Sequence, residues 1–376
     1  MSDFWQTLFS SSEGNRNNLE LRQIRKGGRP FLLLPKNRGA AATTLDLYPA
    51  QTARARATKS LLRFFIRIGL SIGAQPVSLS VSAKNEFVKF LTSQSGFQED
   101  LPRFGVLAGN PAQDTRRFII LLFDSNQRPV AIVKAGFSEP AKALVEKEQQ
   151  FLATLPASAR GIPKLRASFV DHRVTAFSMD FAEGQSPRPD DDHELVSVLG
   201  SWLLPDKQIA LYETDPWQRL ESNPQFSQKY PALYRLRDCK IQTTIQHGDF
   251  APWNIKAPQN GSWTVLDWER GTLKGIPGWD WFHFVIQNAI LVARRPVIEI
   301  AQAIESLLLS GAFKFYSLPT GTADLDRELV IAYLIHLIEV VKPAEGLEQN
   351  RGLLRTLSER WLKESSSPFA QRTGLG

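Results

Sequence analysis

Two short predicted strands flank one loop in this sequence, and their arrangement is the strongest constraint on the fold. The strands are predicted at about 244–246 and 263–266, and the loop between them begins His247-Gly-Asp-Phe-Ala-Pro-Trp-Asn254. Asp249 precedes Asn254 by five positions, and the second strand ends directly before Asp267. Carboxylate and amide oxygens are the hard ligands that Mg²⁺ prefers. The pattern therefore predicts a strand–loop–strand unit that brings oxygen donors together.

Composition limits the alternatives. The chain has 376 residues, 43% of them hydrophobic and 22% charged, which is typical of a globular protein with two domains or a two-lobed enzyme with an extra module. No apolar run approaches the roughly 20 residues that span a bilayer, and residues 1–5 carry no secretion signal, so we expect a cytoplasmic protein. A single cysteine, Cys239, excludes an internal disulfide framework and a multi-thiolate zinc site. The net charge of +7 favours an anionic partner such as a nucleotide, an acidic membrane surface or nucleic acid.

The predicted elements divide the chain into four parts. Residues 1–100 form an N-terminal extension of unknown role, in which an apolar run lies at 31–34 and helices are predicted at about 52–68 and 83–91. Residues 101–184 contain three strands, a helix and two strands, at about 104–107, 118–123, 130–135, 140–155, 166–170 and 174–181. Residues 185–366 are mostly helical, and residues 367–376 form a flexible tail. The helices of the third part are predicted at 193–204, 206–220, 229–238, 280–293, 297–310, 326–341 and 349–364.

The loop resembles that of the aminoglycoside phosphotransferase and choline kinase superfamily, whose hallmarks are H-G-D-x-x-x-x-N and an apolar strand ending in D-x-E/D. The resemblance covers about residues 104–340 and implies a two-lobed, protein-kinase-like α+β fold. The smaller lobe would be an antiparallel sheet and the larger one mostly helical. The resemblance also implies that Asp249 orients or deprotonates an acceptor hydroxyl, that His247 braces the loop, and that Asn254 and Asp267 hold Mg²⁺. The implied donor is ATP or another nucleoside triphosphate, and the implied acceptor is a small hydroxylated molecule.

The small lobe of such an enzyme supplies a lysine for the nucleotide phosphates and a helix acid to hold it. Lys134 ends the segment Val130-Ala-Ile-Val-Lys and matches the V-A-I-K strand in residue type and position. We expect Glu148 on the following helix to pair with Lys134, and Glu146 is the alternative.

The remaining nucleotide contacts are less well defined by the sequence. Gly109 is the only glycine in the loop between the first two strands, and with Asn110 and Thr115 it either approaches the phosphates or belongs to an ordinary hairpin loop. Backbone groups near Asp180 and Phe181 lie where the lobes join in the resembled fold and are expected to meet the adenine.

Two other functions compete with a small-molecule kinase. A metal-dependent hydrolase would use His247, Asp249 and Asp267 as ligands, but the sequence lacks the additional histidine or carboxylate cluster usual for such a centre. A catalytically inactive nucleotide-binding or scaffold protein of the same fold would recruit a partner through residues 1–100. The complete set of Lys134, Asp249, Asn254 and Asp267 argues against that alternative.

Three further clusters permit a structural and a functional interpretation. The acids at 190–192 suit helix capping better than attraction of a cationic acceptor. The aromatic run at 279–284 suits core packing better than a cage for a quaternary ammonium group. The family resemblance implies that Asp280 within this run anchors the large lobe.

The third cluster is basic and lies on the helix predicted at 52–68. Arg56, Lys59, Arg63 and Arg67 share one face of that helix. A solvated basic face is the favoured interpretation, and a weak contact with an anionic membrane surface or a protein is the alternative. No nucleic-acid-binding module is recognised, so we expect no nucleic acid partner.

Overall fold

The chain forms two compact units, Met1–Leu155 with Ile162–Glu183 and Pro156–Gly161 with Gly184–Gly376. The computed structural model describes residues 3–9, 16–50, 52–70, 72–96, 101–109, 117–187, 192–317, 323–341 and 351–365. Asn110 and Thr115, the acids at 190 and 191 and the predicted tail therefore lie outside the described residues.

The first unit is built on an eight-stranded antiparallel sheet, with strand order β3-β1-β2-β4-β5-β6-β8-β7. Its strands are β1 (Arg16–Lys26), β2 (Arg29–Leu34), β3 (Ala74–Ser82), β4 (Arg103–Ala108), β5 (Arg117–Phe123), β6 (Pro129–Gly136), β7 (Leu165–Val170) and β8 (Thr175–Asp180). Its helices are α1 (Asp3–Phe9), α2 (Arg38–Thr44), α3 (Ala53–Ile68), α4 (Glu86–Ser95) and α5 (Glu139–Thr154).

The N-terminal extension and the predicted small lobe share this sheet. Strand β2 pairs with β4 in the register Leu32↔Leu107 and Leu33↔Val106. One hydrophobic cluster contains Leu33 and Leu79 from the extension together with Val106 and Ile120 from the lobe. The predicted division near residue 100 thus falls inside a single compact unit, because strands from both sides of it bury a common core.

The second unit is mostly helical. Its helices are α6 (Asp192–Gly200), α7 (Asp215–Glu221), α8 (Phe226–Lys229), α9 (Pro231–Tyr234), α10 (Trp279–Gln287), α11 (Val297–Leu309), α12 (Gly311–Ser317), α13 (Ala323–His336) and α14 (Arg351–Ser365). Single π-helical stretches, Asn288–Val292 and Leu337–Val341, continue α10 and α13. Its strands are β9 (Leu203–Ala210), β10 (Lys240–Gln246), β11 (Ile255–Lys256), β12 (Thr264–Val265) and β13 (Thr272–Gly275), which form a three-stranded sheet of order β13-β10-β9 and the pair β11-β12.

One helix prediction is wrong in its first half. The helix predicted at 206–220 is a strand up to Ala210 and a helix only at Asp215–Glu221. The strand forms because Leu203–Ala210 pairs with β10, with Ile209 opposite Ile241. Pairing with a strand that lies about 30 residues further along the chain overrides the local helical periodicity.

The predicted α+β class is confirmed, with an antiparallel sheet in the first unit and a mostly helical second unit. The strand and helix order predicted for residues 104–181 is also confirmed, with boundaries shifted by at most one residue. None of the helices within the described ranges has the length and apolar character needed to cross a membrane.

Candidate active site

The predicted catalytic loop leaves the end of β10 and closes in a short 3₁₀ turn, Pro252–Asn254, that leads into β11. Gly248 has a φ of 79°, a left-handed conformation that glycine adopts at little cost. A Cβ there would also lie 3.0 Å from the Cβ of Arg270. The turn itself is closed by the Asn254 N–H, which donates to the carbonyl of Ala251 at 2.9 Å.

Asp280 holds the start of the loop. Its carboxylate is buried and accepts hydrogen bonds from the N–H groups of His247 at 2.7 Å and Gly248 at 3.0 Å. Burial raises the pKa of the Asp280 carboxyl, whereas the two N–H donors oppose that rise. Asp280 lies in the first turn of α10, so the loop is tied to this helix. The anchoring role predicted for Asp280 is confirmed.

His247 links the loop to the strand that follows it. Its Nδ1 accepts a hydrogen bond from the Asp249 N–H at 3.1 Å, so the ring proton is assigned to Nε2. Nε2 then donates to the carbonyl of Leu266 at 2.9 Å. The fully buried imidazole also packs edge-on against Trp268, with ring centroids 4.7 Å apart. His247 therefore fixes the distance between the loop and the residue that precedes Asp267.

Asn254 and Asp267 are brought together by backbone pairing. The Leu266 N–H donates to the Asn254 carbonyl at 2.7 Å, and Ile255 pairs with Val265 in the β11-β12 ladder. Asp267, next in sequence, has a φ of 71°, in the left-handed region that non-glycine residues seldom occupy. Backbone strain of this kind concentrates at functional sites.

The Asp249 carboxylate has a different partner on each oxygen. Its Oδ1 lies 3.0 Å from His283 Nε2, and its Oδ2 accepts from Asn254 Nδ2 at 3.0 Å. The side chain still exposes 29% of its surface. Burial would raise the pKa of this carboxyl, but the hydrogen bond from His283, together with the positive charge of Arg270, outweighs burial and lowers the pKa. Asp249 is therefore ionised near neutral pH.

His283 and Tyr333 complete this group, although neither was predicted as a site residue. The Tyr333 hydroxyl lies 2.8 Å from His283 Nδ1, and both side chains are buried. Because an ionised carboxylate only accepts, we assign the His283 Nε2 proton to the bond with Asp249 and the Nδ1 lone pair to Tyr333. The fifty residues between His283 and Tyr333 leave no spacing signal in the sequence. The only local signal was a histidine inside an otherwise aromatic run.

The aromatic side chains around His283 belong to the core, as predicted. Trp279, Trp281, Phe282 and Phe284 are all buried, and Phe282 stacks on Phe313 with ring centroids 5.5 Å apart. They are therefore enclosed by the second unit and form no open cage for a cation.

The first unit contains the predicted lysine and its acid. Lys134 on β6 donates from Nζ to Glu148 Oε1 on α5 at 2.6 Å, and both side chains are almost completely buried. Arg117 on β5 contributes a second cation, with a guanidinium nitrogen 4.0 Å from Glu148 Oε2. Glu146 instead accepts a hydrogen bond from Gln150. Lys134 thus pairs with Glu148, the first choice of the two acids.

The other predicted nucleotide-binding residues also lie in the first unit. The Gly109 N–H donates to the Arg117 carbonyl at 2.9 Å and closes the loop between β4 and β5. The N–H of Asp180 donates to Lys164 at 3.0 Å, and the N–H of Phe181 donates to Val130 at 3.2 Å. These three amides already serve the sheet, so their contact with a nucleotide stays a prediction.

The residues predicted to hold Mg²⁺ suit that ion in their chemistry. The Asn254 amide directs Nδ2 to the Asp249 carbonyl and carboxylate, which assigns Oδ1 as the remaining donor atom. Together with the Asp267 carboxylate this gives two hard oxygen donors, one from Asn254 and one from the residue after Leu266, whose N–H bonds the Asn254 carbonyl. Mg²⁺ is commonly held by one or two such protein groups plus substrate phosphates and water.

The hydrolase alternative has less support. Within the described ranges, no three or more His, Cys, Asp or Glu side chains form a group that could hold a metal. A set of His247, Asp249 and Asp267 is therefore not assembled as a cluster of ligands.

No protein-family model matches this chain, and no curated protein matches it. Similar solved structures do exist. A thermostable mutant of aminoglycoside phosphotransferase APH(4)-Ia is 14% identical, with a TM-score of 0.46 over 74% of this chain and 99% of that one. A variant of the same enzyme in a ternary complex with ADP and hygromycin B is 14% identical, with a TM-score of 0.43 over 74% and 98% of the two chains. Choline kinase LicA from Streptococcus pneumoniae is 13% identical, with a TM-score of 0.42 over 66% and 89%. Two of these neighbours are named as aminoglycoside phosphotransferases and one as a choline kinase.

Proposed function

We propose that this protein is a phosphotransferase that uses Mg-ATP to phosphorylate a hydroxyl group of a small molecule. The observation that carries the proposal is the Asp249 carboxylate, which is ionised, partly open to solvent and held on both oxygens by His283 and Asn254. A base for an acceptor hydroxyl needs this combination, because it must be positioned and must still have room for the proton.

The hydrogen-bonding capacity of Asp249 allows such a role. Each carboxylate oxygen has two acceptor positions, and each uses one of them, for His283 or for Asn254. One position per oxygen is left for the acceptor hydroxyl. In the proposed reaction Asp249 orients this hydroxyl and takes its proton, while the loop bonds of His247 and Asp280 keep the carboxylate in place.

The other residues are proposed to act on the nucleotide. When bound, Mg-ATP supplies the phosphoryl group and the metal charge that offsets developing negative charge. Asn254 and Asp267 are the proposed metal ligands, and Lys134, oriented by Glu148, is the proposed phosphate contact. Gly109, Asp180 and Phe181 are proposed to lie along the nucleotide. A cytoplasmic location, where ATP is available, is proposed for this activity.

The proposal is tested by measuring acceptor-dependent ADP release over grouped sugars, amino alcohols and other small alcohols. We expect one group to support turnover by the wild type and Asp249→Asn to lower kcat by at least about 100-fold, because the amide cannot accept the proton. The matched control is Asp238→Asn, which changes an exposed aspartate in the same unit.

The outcomes separate the alternatives. Full turnover by Asp249→Asn would contradict the assignment of the base. Retained ATP binding by the wild type, without ADP release for any acceptor group, would instead support the inactive nucleotide-binding protein.

A further inference from the structure

Helix α3 (Ala53–Ile68) presents apolar side chains on two opposite faces. Its inner face packs Ile66 and Leu62 against a cluster that includes Leu34 and Leu45. The helix is well delimited, since the Thr52 side chain accepts from the Ala55 N–H at 3.2 Å and Gly69 ends it with a φ of 92°. The helix is therefore a stable element of the first unit, and its outer face can be considered separately.

The outer face carries large apolar side chains that are open to solvent. Leu61, Phe64 and Ile68 are 58%, 57% and 50% exposed, and their spacing of three and four residues places them in one stripe. Leu70 and Ile72, just beyond the helix, are exposed as well. These five make up half of the ten exposed large hydrophobic side chains in the described part of the chain. Such a concentration marks an interaction surface.

The segment around this stripe is positively charged. Between Asp46 and Glu86 the sequence has no acidic residue, whereas it has six cations, at positions 54, 56, 59, 63, 67 and 84. Arg54, Arg56 and Arg67 are exposed on α3. This segment thus combines an apolar stripe with adjacent arginines and has no acidic residue between Asp46 and Glu86.

The structure corrects the predicted solvated basic face of this helix. Lys59 and Arg63 turn toward the protein and pair with Asp46, and Lys59 also donates to the Tyr48 carbonyl at 3.1 Å. The pairing places two of the four expected cations against the body of the unit. What faces outward between the remaining arginines is the apolar stripe.

We propose that this face of α3, defined by Leu61, Phe64, Ile68 and the exposed arginines, binds the surface of an anionic lipid bilayer. A helix with an apolar stripe and flanking cations lies in the interface plane, with the stripe in the acyl boundary and the cations at the lipid phosphates. Each arginine near an anionic membrane adds electrostatic attraction that falls off within a Debye length.

Other occupants fit the charges or the stripe less well. A second copy packed on the same face would bring arginines against arginines with no acid in the segment to pair them. A nucleic acid would satisfy the arginines through its phosphates but would leave Leu61, Phe64 and Ile68 without an apolar partner. The bilayer surface offers a partner to both the apolar stripe and the arginines. This proposal does not depend on the proposed phosphotransferase activity.

The test is co-sedimentation of the full-length protein with vesicles of phosphatidylcholine alone or with about a third of phosphatidylglycerol. We expect binding to the anionic vesicles at low salt, weaker binding at high salt, and little binding to phosphatidylcholine alone. Phe64→Ser should lower the partition coefficient by about 10-fold, because one large apolar side chain is lost from the acyl boundary. Joint replacement of Arg54, Arg56 and Arg67 by glutamine should abolish the preference for anionic vesicles.

The matched control is Phe315→Ser, which removes an even more exposed phenylalanine, 75% against 57% exposed, from α12 in the second unit. It should leave vesicle binding unchanged, and all variants should keep the wild-type melting temperature. Absence of wild-type binding to anionic vesicles, or equal losses for Phe64→Ser and Phe315→Ser, would overturn the proposal. A change in sedimentation mass without lipid for Phe64→Ser alone would assign the face to a second copy instead.

Discussion

A carboxylate that serves as a base has to stay ionised where burial favours the neutral acid. For Asp249 the required compensation comes from specific partners, since His283 donates to one oxygen and Asn254 to the other. Tyr333 in turn fixes the imidazole of His283. We infer that His283 and Tyr333 are positioning residues, which act on the acceptor only through Asp249.

This inference predicts a shift in pH dependence. His283→Leu removes a hydrogen bond that lowers the pKa of Asp249, so that pKa should rise. In the proposed reaction Asp249 acts in its ionised form, so the acid limb of kcat/KM should move to higher pH. Loss of the positioning hydrogen bond should in addition lower kcat/KM by about 10-fold near neutrality. Tyr333→Phe should give a smaller shift in the same direction.

The pH profile of kcat/KM provides the measurement, and His193→Gln, at an exposed histidine of α6, provides the control. An acid limb that stays in place in His283→Leu would show that His283 does not set the protonation of Asp249.

Whether a site residue could be predicted from the sequence depended on how far along the chain it lies from its partners. Asp249, Asn254 and Asp267 lie within nineteen positions, so their spacing alone identified them as a candidate site. His283 and Tyr333 reach Asp249 only through the packing of α10 and α13. Long-range packing of this kind leaves no periodic signal, and both residues were missed.

At the scale of elements, β6 and α5 are joined by one buried ion pair. Removing one partner of such a pair leaves the other charged and buried. This lowers the stability of the fold more than replacing both partners by apolar residues would. Glu148→Gln should therefore lower the free energy of unfolding by about 3 kcal/mol, because Lys134 would lose its carboxylate.

Urea denaturation of Glu148→Gln and of the matched variant Glu146→Gln measures this effect. Glu146 lies on the same helix but only bonds Gln150 at the surface, so its change should stay within about 0.5 kcal/mol. Equal losses for the two variants would contradict a special role of the Lys134–Glu148 pair.

Elements with strong local signals were predicted well, and those that depend on distant partners were not. Helix α5 has Pro140 in its first turn and a Ser138 cap, and its limits agree with the prediction to within a residue. Strand β1 was missed, because its sequence from Arg16 to Lys26 is mostly polar; it pairs with the neighbouring β2 and also with β3, which begins only at Ala74. A distant partner, β10, explains the error at Leu203–Ala210.

On the scale of the whole molecule, the first unit depends on strands from both ends of its sequence. Deletion of residues 1–100 would remove β1, β2 and β3 and expose the edge of β4 together with the buried face of Val106. Such an exposed edge favours aggregation. We expect the shortened protein to be insoluble or to lose its cooperative thermal transition.

Solubility on expression and differential scanning calorimetry test this expectation. Removal of residues 367–376, the tail predicted from sequence, is the control and should leave the transition temperature unchanged. A soluble, cooperatively unfolding protein without residues 1–100 would show that the extension is an independent module after all.

The backbone at Asp267 has a consequence for how this chain would respond to selection. Its φ of 71° suits glycine, so Asp267→Gly should relieve strain worth about 1 kcal/mol while removing the carboxylate. A library of variants sorted only for heat resistance should therefore enrich glycine at this position. The same library sorted for phosphoryl transfer should keep aspartate, and the divergence between the two populations would measure how far thermal stability and proposed activity conflict at one residue.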